Sequence, residues 1–397
     1  MKRIILSVMM LLAGMSASAQ YYQDAVNKDM LHIRQPRTST RTEFIAPGVD
    51  GYTAYKADLH THTIFSDGHL TTEARLREAW QNGLDVMAVT EHLEYRKHEK
   101  MMVEYLGKYM PKGTKAKAYS FVSKDEPAKG EIMVDLNYPV ELSKKVAADF
   151  DITIIPGIEV TRKLGGYYSH FNALFTTDNN TIYDPDAMQS LRNAKAQGAL
   201  VMHNHPGWTR KDMAITEFEK EVYKEGLIDG IEVVNGLEFY PKAITRAQKY
   251  NFFISANTDV HYPIAERYGN EFRNMTLIFA KDKSLASLRE AIEAHRTLAY
   301  SFGVLVGSEE LLQKFFNASV SVRRIADNAK GRKQIVVTNN SSVRWLIQRN
   351  GQRLEELAPL SSIILVESKS NDNTVTLLNT WYSEEDHIKV DLFGLAK

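Results

Sequence analysis

Asp58-Leu59-His60-Thr61-His62 ends an apolar, strand-like run that begins at Tyr52, and it opens into a polar loop carrying Ser66-Asp67-Gly68. Alternate residues of a strand point the same way, so His60 and His62 project together and can grip one cation. Asp67 comes after a turn and can add an oxygen ligand. Two imidazoles and a carboxylate at a strand end are metal-ligand chemistry. An HxH pair alone is a weak signal, because many arise by accident. Its weight comes from the later strand ends, where ligand-type residues recur. Val86–Val89 leads into Thr90-Glu91-His92, and Ile152–Ile155 leads into Pro156-Gly157-Ile158-Glu159. His170 opens Phe171–Phe175, Ala199–Met202 leads into His203-Asn204-His205-Pro206, and Phe252–Ala256 leads into Asn257-Thr258-Asp259-Val260-His261. Seven of the twelve histidines and three carboxylates obey this one rule.

The elements that must position them alternate. Strands are expected at 55–60, 85–90, 152–159, 170–175, 199–203, 230–235, 252–257 and 275–279. Helices are expected at 72–82, 140–149, 185–197, 212–225, 240–250 and 284–295. This alternation argues for parallel strands with helical crossovers. About seven repeats suggest a closed or nearly closed barrel, whose C-terminal strand ends share one mouth. Residues 96–130 interrupt the rhythm with Arg96, Lys97 and seven further lysines among tyrosines and methionines. A solvated surface insertion and a basic lid over an anionic substrate both fit, and the position after a ligand-bearing strand end suits the lid. From about 316 the pattern turns to short strands, with Asn339-Asn340 and Asn350-Gly351 as turns. This predicts a small all-β, sandwich-like accessory domain over 316–397.

Forty-nine basic and forty-nine acidic residues give zero net charge, so no polyanion-binding field covers the chain. No stable nucleic-acid partner is expected. Residues 1–19 read as a signal peptide: Lys2 and Arg3, an apolar run from Ile4 to Ala13, and Ala17-Ser18-Ala19 as the cleavage site. Residues 20–50 read as an extended lead-in. The expectation is an exported protein, periplasmic in a Gram-negative cell and secreted otherwise. The chain has no cysteine, which excludes disulfides and thiolate ligands. No later run is long and apolar enough to span a membrane.

With these motifs in place, residues 55–300 resemble the polymerase and histidinol phosphatase (PHP) superfamily of metal-dependent phosphoesterases, and in particular its exported two-domain, phosphodiesterase-like members. The resemblance rests on Asp58-Leu59-His60-Thr61-His62 with Ser66-Asp67-Gly68, on Thr90-Glu91-His92, on Gly157-Ile158-Glu159-Val160 with His170, and on His205-Pro206 with Asp259-Val260-His261. Glu91 stands where the family more usually has aspartate. The resemblance implies an α/β fold, a distorted seven-stranded (β/α) barrel over 51–315, holding two or three divalent ions. It implies that His60, His62 and Asp259 bind a first ion, that Glu159 bridges to a second completed by His170 and His205, and that Asp67, His92 and His261 make a third site. Imidazole suits zinc or iron and carboxylate suits manganese, so mixed sites leave the metal open.

Hydrolysis of a phosphate ester is the expected reaction, with a water acidified by the cations attacking phosphorus in line. Asp259 could accept the water's proton, and His261 or His203 could protonate the leaving oxygen. Arg162 and Arg267 could hold nonreacting phosphate oxygens, and Trp208 and Tyr262 could wall an organic substituent. A small phosphodiester is the expected substrate. A phosphomonoester, or an amide or carbamate, would suit the same ligands. A non-catalytic binding protein would be expected to have lost ligands, and here the set is intact.

Overall fold

The computed structural model describes residues 21–23, 26–33, 41–99, 101–102, 121–123, 126–127, 135–164, 166–349, 352–368 and 373–396. The expected signal peptide, the insertion's lysines beyond Lys97 and its tyrosines, and the Asn350-Gly351 turn lie outside these residues. The chain divides into two units, Met1–Thr42 and Glu43–Lys397. In the first, β1 (Tyr21–Gln23) and β2 (Leu31–Ile33) pair as an antiparallel hairpin.

In the second unit, β3 (Thr53–Asp58), β4 (Val86–Val89) and β7 (Thr153–Leu164) lie parallel. Between the last two falls a small hairpin of β5 (Phe121–Ser123) and β6 (Glu126–Pro127). β8 (Tyr167–Leu174) returns antiparallel along β7, and β9 (Leu200–His203) runs antiparallel to β8. β10 (Gly230–Asn235) is parallel to both β9 and β12 (Phe253–Asn257), with the short β11 (Glu238–Phe239) folded back on it. β13 (Met275–Ala280) lies antiparallel to β3 and is followed by β14 (Thr297–Ser301) and β15 (Val304–Val306). The result is a curled, mixed α/β sheet rather than the wholly parallel one expected. The departure has a local cause. β7 runs on to Leu164 and only two residues separate it from β8, a link that permits antiparallel pairing alone. β12 meets the far side through side chains, where Thr297 Oγ1 donates to Ile254 O (2.9 Å) and Ala256 N donates to Thr276 Oγ1 (3.1 Å).

Five helices start where side chains cap them. Thr71, Asp186, Ser284 and Ser308 each accept a backbone N–H, and Thr216 forms a reciprocal capping box with Glu219. Alternation along the strands divides the core. Ala57, Val86, Ala88, Leu200, Met202 and Ile278 pack together inside the curl. Val201, Ile231 and Val233 face outward onto Leu191, Val222 and Ile244 of the surrounding helices.

The C-terminal residues form two small sheets. One joins β16 (Val320–Ile325), β17 (Gln334–Asn339) and β20 (Ser362–Val366). The other joins β18 (Trp345–Arg349), β19 (Gln352–Leu357), β21 (Thr374–Leu377) and β23 (Lys389–Asp391). Trp345 is fully buried against Phe315 and Phe316, in one continuous core with Leu277 and Phe279 of the large sheet. β22 (Thr380–Trp381) pairs with β15 and so extends the large sheet itself.

Candidate metal centre

The loop after β3 is held on both sides. Thr61 faces β4, donating Oγ1 to Ala88 O (2.7 Å) and N to Thr90 Oγ1 (2.9 Å). Asp58, His60 and His62 therefore share the opposite direction. Asp58 is buried against Arg273 and accepts Thr258 N (3.2 Å), which ties this loop to the end of β12. Glu91 accepts Thr63 N (3.0 Å) and Ser66 Oγ (2.5 Å), turning the chain so that Asp67 comes back to the histidines. A Cβ on Gly68 would stand 2.7 Å from the His62 carbonyl carbon, so the turn closes only over glycine.

Nine residues expected as ligands meet at this mouth. His60 Nε2 lies 3.1 Å from His62 Nε2 and 3.3 Å from both Asp259 Oδ1 and Glu159 Oε1. His62 Nε2 is 3.2 Å from Asp259 Oδ1. His170 Nδ1 is 3.2 Å from Glu159 Oε1, and His92 Nδ1 is 2.6 Å from Glu159 Oε2. Asp67 Oδ1 lies 3.4 Å from His92 Nε2 and 3.1 Å from His261 Nε2. His205 Nε2 stands 3.8 Å from Glu159 Oε1 and 3.9 Å from Asp259 Oδ2. Three overlapping groups emerge: His60, His62 and Asp259; His62, Asp67, His92 and His261; and His92, Glu159 and His170. In each, the donor atoms lie within 4.8 Å of one another. His170 reaches the mouth from the first half of its strand, because β8 runs opposite to β7.

Burial works against every charge here, and the neighbours decide the outcome. It pushes the His62 imidazole down to about 3, helped by His261 and His92, and the His170 imidazole down to about 4. His92 is instead drawn up to about 9, since Glu159 and Asp67 outweigh its burial. Against burial, the facing imidazoles hold Glu159 and Asp259 well below the usual carboxylate range. Asp67 Oδ1, Asp259 Oδ1 and both ring nitrogens of His170 are buried without a hydrogen-bond partner. Ionised oxygens and bare imidazole nitrogens left in this way fit divalent cations.

The other expected residues divide. Arg267 lines the cavity above these ligands, a space of about 350 Å³, as does Trp208. Arg162 does not reach it. On β7, Glu159, Thr161 and Lys163 face one way and Arg162 the other, and its guanidinium is held by Glu94 Oε1 (2.9 Å), Asp184 O (2.6 Å) and Ser190 Oγ (2.9 Å). Lys163 is the β7 cation that lines the cavity, and counting in twos from Glu159 would have found it. His203 also turns away, with Nδ1 2.5 Å from Tyr223 Oη and Nε2 3.3 Å from Glu219. A backbone φ of 27° at His205 breaks the alternation and swings that side chain into the mouth instead. Tyr262 stacks on His69, not on the cavity. Sequence reasoning missed Asn204, which donates to Glu159 Oε1 (2.8 Å), and Glu232, which accepts from His60 Nδ1 (2.9 Å).

No protein-family model and no curated protein matches the chain. Solved structures do. A two-domain protein from Bacteroides vulgatus, containing a predicted PHP-like metal-dependent phosphoesterase, is 29% identical with a TM-score of 0.75. The match covers 88% of this chain and 98% of that one. An amidohydrolase from Chromobacterium violaceum is 15% identical over 53% of this chain and 89% of its own, with a TM-score of 0.36. A lesion-specific endonuclease from Pyrococcus furiosus is 16% identical over 64% of this chain and 59% of its own, also with a TM-score of 0.36.

Proposed function

We propose that this chain, a PHP-type metal-dependent phosphoesterase, hydrolyses a small phosphodiester at the mouth formed by His60, His62, Asp67, His92, Glu159, His170, His205, Asp259 and His261. The observation that carries the reading is the run of three donor groups that overlap at His62 and His92, with the two oxygens of Glu159 facing different histidines. Seven strands, β3, β4, β7, β8, β9, β10 and β12, bring side chains to this mouth, and we read them as the distorted seven-stranded barrel. Its functional span is 51–315, with 316–397 as a β-rich accessory region.

Two or three divalent cations held there would supply Lewis acidity and a lowered water pKa. The protein's own groups do the rest. His60, His62 and Asp259 form one position and Glu159, His170 and His205 a second, with Glu159 shared. Asp67, His92 and His261 make the third. Asp259, 19% exposed at its side chain, is placed to take a proton from water entering the cavity. With two cations bound and the third position open, His261, drawn upward because Asp67 and Asp259 outweigh its burial, is placed to give one to the leaving oxygen. Arg267 and Lys163 both line the cavity and would hold nonreacting phosphate oxygens.

The mixed lining supports a diester: Tyr95, Tyr168 and Trp208 offer aromatic surface beside Asn235 and Leu237, and we read it as suited to an organic group on each ester arm. Zero net charge supports a small substrate over a nucleic acid. The N-terminal pattern supports export. The test is turnover of bis(p-nitrophenyl) phosphate beside p-nitrophenyl phosphate and a p-nitrophenyl carbamate, with His60→Ala as control. Diester preference lost in the variant supports the reading. Monoester preference would make the protein a phosphatase, and carbamate cleavage alone would move the chemistry to carbon.

A further inference from the structure

Glu232 sits in the middle of β10, fully buried, between Ile231 and Val233, which face the helices. It therefore points into the curl, the one acid in an apolar strand. No lysine or arginine among the described residues pairs with it. Four hydrogen bonds hold it instead. Oε1 accepts from His60 Nδ1 (2.9 Å) and Asn257 Nδ2 (3.0 Å), and Oε2 accepts from His205 N (2.6 Å) and Asn235 Nδ2 (2.8 Å). Each oxygen has two donors, which fills the carboxylate's capacity.

Two of these bonds act on different parts of the mouth. A carboxylate can only accept, so His60 carries its proton on Nδ1 and turns the bare Nε2 toward Asp259 and Glu159. His205 has a positive φ, a backbone conformation that non-glycine residues keep only when their surroundings enforce it. Its N–H on Glu232 is that enforcement, and it is what swings the imidazole inward from the direction His203 takes. Among the described residues, no other carboxylate outside the ligand set touches both groups. Glu91 holds only the Thr63–Ser66 turn, and Asp58 only the His60 and Thr258 side.

We propose that Glu232 is a positioning residue that couples the His60 and His205 cation positions, so that its loss weakens both together. The inference rests on the reading of the mouth as a cation site. Glu232→Gln keeps size and shape but replaces one acceptor oxygen with a donor, which strands two of the four N–H groups in either orientation. The experiment is a Co²⁺ titration of the full chain, followed by visible absorption and calorimetry, for the wild type, Glu232→Gln and Ile231→Ala. The last weakens the same strand from its other face without touching a ligand.

The expected result is a loss of about 10- to 100-fold in affinity at both positions in Glu232→Gln, with altered cobalt bands. Excess metal should restore kcat with KM for the diester unchanged. Ile231→Ala should lower only the melting temperature. Unchanged affinities in Glu232→Gln, loss at one position alone, or an equal loss in Ile231→Ala would overturn the coupling. A wild type that binds no Co²⁺ would overturn the cation reading itself, and this inference with it. If the Gln variant does not fold, Glu232→Asp is titrated by the same criterion, since its shorter side chain cannot span both groups.

Discussion

Two clusters of buried ionisable side chains flank the end of β9, and they differ in where their positive charge comes from. His205 belongs to the mouth, where Glu159, Asp67 and Asp259 face imidazoles and pair with no lysine or arginine among the described residues. His203, two residues earlier, belongs to a cluster on the helix side. There Glu219 meets Arg210 Nη1 at 2.6 Å, Ser169 Oγ at 2.8 Å and Thr216 N at 3.0 Å. The second cluster brings its own cation, and both oxygens of Glu219 are held by donors. The first has acceptors without one, and a buried carboxylate in that position calls for an ion from solution. Histidine and acid content alone does not separate a ligand set from a structural ion network. The presence of an internal guanidinium does.

The sharpest way to break this contrast is to exchange the acids for amides. Glu159→Gln should cut diester turnover by at least about 100-fold, as loss of a group that holds charge at the reacting centre does, and should abolish binding of at least one cation. With a chelator present, its melting temperature should lie close to that of the wild type. Arg210→Ala should do the reverse. It leaves Glu219 buried without its partner, a change of about 3–5 kcal/mol in stability, and calorimetry should still count the wild-type number of cations. Chelation sharpens the same point. A cation at about 100 times its Kd stabilises by about 2.7 kcal/mol, so adding a chelator should lower the wild-type melting temperature by more than that of Glu159→Gln.

Acid offers a fourth test. Glu219 is held below the ordinary carboxyl range because His203 and Arg210 outweigh its burial. A depressed folded pKa contributes stability that is present above the unfolded value and lost as pH falls below it. The stability gap between wild type and Glu219→Gln should be open at neutral pH and narrow below about pH 4.5, the ordinary range for glutamate. A gap independent of pH would remove the charge argument. The smallest expected effect compares neighbours on β7. Lys163→Ala should raise KM roughly tenfold or less, the scale of one charge-assisted hydrogen bond, with the melting temperature unchanged. Arg162→Ala should lower the melting temperature, because it strands Glu94, which burial already pushes up to about 7.

That pair also shows where the sequence stops being legible. The candidate ligands can be read because histidines and acids interrupt apolar runs at strand ends, and the structure brings all nine to one mouth. Arg162 is favoured over Lys163 only if the strand stops at Glu159. β7 runs five residues further, and facing depends on parity along its whole length. His203 and His205 share a parity, and only the backbone turn at His205, fixed by Glu232 from a different strand, separates them. Glu232 itself is one acid in a six-residue strand, and its four partners come from four places in the sequence. The C-terminal strands are visible as strands. Their common core with Leu277 and Phe279 is not, because an apolar side chain carries no mark of the surface it will bury.

The most direct measurement is diffraction from crystals of the chain grown with Mn²⁺ or Zn²⁺, with data collected at the metal's absorption edge. Two or three anomalous peaks bounded by His60, His62, Asp259, Glu159 and His170, with none beside Glu219, are what the account predicts. No peak at the mouth, or a peak beside Glu219 and His203 instead, would contradict it.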